Sequence, residues 1–178
     1  MSPTERKNQA LFATYRALLD LLKTQPENTI SVSMLCRHAH VSRSYYYKHF
    51  VTFDDVIRQA AFAESISYLR SLPDIASNQT NVKMAHYFEL MARTRDERLI
   101  LLRVGKQEVL TQTFATVQQY LYEHNYIQLP DGVNSRRPYW LEFLAGAVVN
   151  VAFRWLQNGC QETPAQMGQL IADFIATK

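Results

Sequence analysis

The chain has 178 residues, 19 Lys/Arg against 16 Asp/Glu, a formal net charge of +3 and 47% hydrophobic residues, enough for one sizeable core with a small lobe attached. Its two cysteines, Cys36 and Cys160, lie in separate segments and argue for reduced thiols, not a disulfide framework. Ser2 to Lys7 lacks the apolar segment of a signal peptide, and the longest uncharged apolar run, Phe143 to Phe153, is too short to span a bilayer, so the expectation is a cytoplasmic protein with no membrane partner.

Apolar spacing predicts helices throughout. Leu11, Tyr15, Leu18 and Leu22 recur at helical spacing, which makes residues 4–24 one amphipathic helix ending near Pro26. Residues 30–50 read as two short helices joined by a tight turn. Leu35, Ala39 and Val41 lock the pair together, and Ser42 supplies the N-cap hydroxyl of the second. Thr52, with Asp54 and Asp55 behind it, starts a helix that runs to about Ser71, ahead of Pro73. Further helices are predicted over Asn78–Thr94, Asp96–Arg103 and Glu108–His124, with Gly105 as a break and Leu129-Pro130-Asp131-Gly132 as a turn. Ser135–Asn158 is a long helix closed by Gly159, and Thr163-Pro164-Ala165-Gln166 opens the last one with a cap, a first-position proline and a box-closing Gln. No run alternates as a strand would. The fold class is all-α, with about nine helices.

The segment after Ser42 carries the chemistry. Arg43, Ser44, Tyr45, Tyr46, Tyr47, Lys48 and His49 put hydrogen-bonding side chains on about two helical turns, and a helix of that kind fits the DNA major groove. Charge agrees: residues 1–60 hold eight Lys/Arg against five acids, whereas residues 61–178 hold eleven of each. The run Ala39-His40-Val41-Ser42-Arg43-Ser44-Tyr45-Tyr46-Tyr47-Lys48-His49-Phe50, preceded by Ile30-Ser31-Val32, resembles the helix-turn-helix signature of the TetR family of bacterial transcriptional regulators. Three positions depart from that pattern. His40 stands where the family has Gly, in a turn expected at positive φ. Tyr46 fills an apolar slot, where its ring would either be half-buried with the hydroxyl at a polar edge or, the favoured reading, simply pack. Phe53 replaces a phosphate-touching Lys.

The resemblance implies a DNA-binding domain over residues 1–51 and a helical regulatory and dimerisation domain over 52–178. Arg43, Ser44 and Tyr45 are the candidates for base edges; Ser31, Ser33, Ser42, Tyr47, Lys48 and His49 are candidates for phosphates, although His49 is also readable as a capping or packing histidine. On the helix from Ser135, apolar residues cover most of the circumference, so it must pack on two sides. One reading is the central core helix of a monomer. The resemblance implies instead that Leu144, Ala147, Val148, Val151, Trp155, Ile171 and Phe174 meet a second copy, since a palindromic operator is read by two copies of the motif.

Phe62, Tyr87, Phe88, Phe114 and Trp140 could line an effector pocket or be ordinary core. The C-terminal body also resembles the subgroup that contains the co-activator of dihydroxyacetone-kinase operons, where the input is a protein, so the effector is open between a small molecule and a protein. Cys36, His38 and His40 do not converge on a helix, and no catalytic constellation, cofactor motif or metal set is present in the sequence. The mixed-sign cluster from Arg93 to Arg98 reads as a solvated helix face. The function implied is a homodimeric operator-binding regulator, a repressor by default, modulated through its C-terminal body. A helical adaptor or co-activator module, acting through protein partners without specific DNA reading, is the alternative from another class.

Overall fold

The structure is a computed structural model that describes residues 3–72, 79–127 and 137–176. Among these residues are nine α-helices, one short 3-10 turn and no strand: α1 Pro3–Thr24, the turn Glu27–Thr29, α2 Val32–Ala39, α3 Arg43–His49, α4 Phe53–Arg70, α5 Thr80–Arg93, α6 Arg95–Arg103, α7 Gln107–Glu123, α8 Arg137–Gln157 and α9 Pro164–Ala176. The expected turn at 129–132 and the expected first residues of the helices at 78 and 135 lie outside the described residues.

Helix ends are set by local chemistry. Ser31 and Ser42 accept hydrogen bonds from the N–H groups of Met34 (3.1 Å) and Tyr45 (3.0 Å), starting α2 and α3. Thr52 and Asp55 form a reciprocal capping box at α4, and Thr163 and Gln166 do the same at α9. Four helices end alike. His40, Gly105, Asn125 and Gly159 each take a left-handed conformation, with φ of 54°, 76°, 59° and 83°. In each case that residue's N–H bonds the carbonyl three back, and the next N–H bonds the carbonyl five back, as Val41 does to Cys36 at 3.0 Å.

α1 is the axis of the N-terminal part: Leu11, Tyr15, Leu18 and Leu22 are all buried and face α2, α4 and α6. The main core runs without a break from there into α5, α7, α8 and α9. Lys106, at the start of α7, binds Glu27 at 2.6 Å and Asp54 at 2.7 Å, which ties the body to both the 3-10 turn and the start of α4. α5 and α9 form the closest helix pair. Gly168 permits it, because a Cβ there would sit 2.4 Å from the Asn81 carbonyl oxygen and 2.8 Å from the Ala85 Cβ.

Candidate DNA interface and effector cavity

α3 is held by its buried side and by both ends. Tyr46 and Phe50 are buried, with ring centroids 5.5 Å apart, and Gln59 on α4 donates to the His49 carbonyl at 2.9 Å. Tyr46 is only 1% exposed, so it is a full core residue, in line with pure packing and not with a half-buried ring; burial pushes its hydroxyl up to about 12. Phe53, in the slot of the missing Lys, packs edge-on against that ring at 6.3 Å.

This leaves one side of α3 open. Arg43, Ser44, Tyr47 and Lys48 are exposed, as are Ser31 and Ser42, while Ser33, Tyr45 and His49 are half-buried. The Arg43 guanidinium lies 6.0 Å from the Tyr47 ring centroid, so the two present one cationic, flat surface. Tyr45 stacks obliquely on His49 at 4.5 Å. Burial, helped by the charges of Lys7 and Lys48, holds the His49 imidazole below its ordinary range. Two neighbours were not singled out in the sequence. Lys7 on α1 is close enough to His49 to act on it, and Val51, at 88% exposure, extends the open side beyond α3. Lys7 had a signal in the basic start of α1; Val51 had none.

The residues expected to meet a second copy divide. Leu144, Val148, Trp155 and Ile171 are buried within the protomer. Trp155 stacks edge-on against Phe88 at 5.3 Å, and its indole N–H donates to the Glu162 carbonyl at 3.1 Å. Val151 is half-buried, and Ala147 and Phe174 are exposed. Tyr139, Phe143 and Leu170 are exposed apolar residues that the sequence did not separate from the core set. The reason is geometric. α8 packs on α5, α6 and α7 through the side carrying 144, 148, 152 and 155, leaving the 139–143–147 row outside.

A cavity of about 70 Å³ lies between α4, α5 and α7. Of the five aromatics expected there, Tyr87 and Phe114 line it, 4.8 Å apart. The other three do not: Phe62 packs on Tyr120, Phe88 on Trp155 and Trp140 on Phe143. Arg98, expected on a solvated face, is 3% exposed and lines the cavity. It donates through Nε to the Thr94 hydroxyl at 3.1 Å and through Nη2 to Glu64. Arg98 sits one turn before Leu101, on the side of α6 that faces the core, and that register was the signal for its burial. Burial pushes the Glu64 carboxyl up, against the pull of Arg98.

A family model described as a transcriptional regulator C-terminal region matches residues 80–177, more than half of the chain. The chain belongs to the TetR family of transcriptional regulators. No curated protein sequence matches it. In structure it is similar to the dihydroxyacetone kinase operon activator DhaS, with a TM-score of 0.56 over 93% of both chains at 10% sequence identity. That likeness is one of fold. Among the described residues no helix is long and apolar enough to cross a membrane, and no group of three His, Cys, Asp or Glu could hold a metal ion.

Proposed function

We propose that this TetR-family chain is a cytoplasmic, homodimeric regulator that binds a palindromic operator through residues 31–49 and changes its DNA affinity in response to a signal at the C-terminal body. Residues 1–51 form the DNA-binding unit and 52–178 the regulatory and dimerisation unit. The observation that carries the reading is the pair of serine-capped helices. They are joined by a left-handed residue, with the apolar side of α3 buried and Arg43, Ser44, Tyr47 and Lys48 left open. Arg43 has the reach and the paired donors for guanine O6 and N7, and Ser44 and Tyr45 read the bases beside it. Tyr47, Lys48, His49 and the hydroxyls of Ser31, Ser33 and Ser42 fix the register on phosphates. Tyr139, Phe143, Ala147 and Phe174 provide apolar surface for the second copy. Repression by blocking a promoter is the default consequence of occupancy.

Selection of bound duplexes from a random pool tests this. A symmetric motif with half-sites about one helical turn apart, or slightly more, is expected. Arg43→Ala then relaxes preference at one base pair per half-site at a cost of about 1–3 kcal/mol, while Lys48→Ala weakens all sequences alike and flattens the salt dependence. Enrichment of no symmetric motif would sink the reading.

A further inference from the structure

We propose that the cavity between α4, α5 and α7 takes a small, slender carboxylate carrying a second hydrogen-bonding group along its chain, with its charged end at Lys83 and that second group at Gln118. The regulatory meaning of such a ligand rests on the function proposed above; its binding does not.

The shape argues for slenderness. α7 contributes lining from Leu110 to Leu121, roughly 17 Å of helix at 1.5 Å per residue. Spread over that length, a volume of about 70 Å³ makes a narrow slot. The walls are mainly apolar, with Met84, Tyr87, Phe114, Val117 and Leu121 among them.

The polar groups argue for the chemistry. Arg98 lines the cavity as well, and its charge is balanced by Glu64, although its Nη1 is buried without a hydrogen-bond partner among the described residues. Thr113 donates to the Val109 carbonyl at 2.7 Å, so its hydroxyl proton is committed. Gln118 is 7% exposed and lines the cavity, and its amide finds no partner among the described residues. A buried amide without a partner favours an occupant that can complete its hydrogen bonds. Lys83 is at the Leu121 end, where its ammonium donates to the carbonyl of Tyr126, itself bonded to Leu121. No carboxylate faces it among the described residues, and burial holds its pKa below the lysine range. A monoanion restores the balance at that end, a neutral alcohol leaves it unchanged, and an ammonium group is repelled.

Calorimetric titration of the full chain with four probes of one length tests this: hexanoate, 5-oxohexanoate, 1-hexanol and hexylammonium. Hexanoate is expected to bind at least tenfold more tightly than hexanol, with no binding of hexylammonium and the tightest binding for 5-oxohexanoate. Lys83→Met keeps the chain length and levels hexanoate with hexanol. Gln118→Leu weakens 5-oxohexanoate selectively, and Val117→Trp, by filling the slot, abolishes binding of all four. Circular dichroism melts establish that each variant is folded. Equal binding of acid and alcohol, an unchanged preference in Lys83→Met, or no binding to the folded wild-type chain overturns the proposal; equal effects of Gln118→Leu on the two acids remove the second contact. A chain that selects no operator yet binds these acids leaves the cavity assignment standing and defeats only the regulatory reading.

Discussion

His40 shows how much one residue's backbone can decide. Its φ of 54° and ψ of 39° let its N–H and that of Val41 close α2 on the Arg37 and Cys36 carbonyls, and that turn sets α3 against α2. A residue with a Cβ spends about 1–2 kcal/mol in this conformation, although His tolerates it better than most. Glycine removes that strain but gives the unfolded chain more freedom, worth about 0.5–1 kcal/mol in the other direction. His40→Gly is therefore expected to be neutral to modestly stabilising in thermal melts and to leave operator affinity unchanged. A lower melting temperature would reveal an intramolecular role for the imidazole; a selective loss of DNA binding would put it in the interface. Asp55 is the opposite case, since its side chain itself makes the structure. Burial works against its charge, but the N–H groups of Val51 (2.9 Å) and Thr52 (3.1 Å) and the Arg58 guanidinium hold the carboxyl below the usual range. Because the folded value is the lower one, the stabilisation is complete above the ordinary aspartate value of 3.8 and fades as pH falls through the folded value. Asp55→Asn should cost about 1–2 kcal/mol at pH 7 and progressively less below pH 4, which parallel denaturant titrations at the two pH values would measure.

At the scale of helices, the sequence was most readable where a local rule acts alone. Apolar spacing gave α1 within a residue, and the Ser42 and Thr163 caps and the Gly159 ending all hold. Which side of a helix faces the core was less readable when most of the circumference is apolar. On α8, Leu144 and Val148 are buried while Phe143 and Ala147 are not, and composition alone cannot separate those rows. The register of Arg98 before Leu101 points it to the core, but its partner Glu64 comes from α4, 34 positions earlier, and no window of local sequence reveals that pairing. The α5–α9 contact was also illegible, because it depends on an absent side chain. A methyl at Gly168 would press on the Asn81 carbonyl at 2.4 Å and the Ala85 N–H at 2.6 Å, both backbone and so unable to swing aside. Gly168→Ala should therefore destabilise the chain by about 1–3 kcal/mol despite the higher helix propensity of alanine. An unchanged denaturation midpoint would mean that the two helices separate without cost.

Taken as a whole, the molecule has one main core reaching from α1 to α9, with the open basic side of α3 at one part and exposed apolar residues of α8 and α9 at another. Lys106 ties the start of α7 to the 3-10 turn and the start of α4, and its ammonium, although desolvated, is held above the ordinary lysine range by Asp54 and Glu27. The start of α7 is thus joined to the start of α4, which directly follows the segment proposed above to face DNA. For this to alter operator binding, two copies must be joined through a surface that moves with the body. Tyr139 at 80%, Phe143 at 62% and Phe174 at 63% exposure are the largest apolar side chains left outside on the two final helices. Placing a carboxylate at either phenylalanine, as Phe143→Glu or Phe174→Glu, is harmless to a lone chain because both positions are already in water. In a dimer that covers them, it buries an unpaired charge at a cost of several kcal/mol. Each variant is expected to keep the wild-type helical circular dichroism, to sediment as a monomer where the wild type is a dimer, and to lose operator affinity steeply, since single half-sites remain. Intact dimers for both variants would move the interface away from these helices. Monomers that hold the operator as tightly as the wild type would show instead that a single α3 is enough.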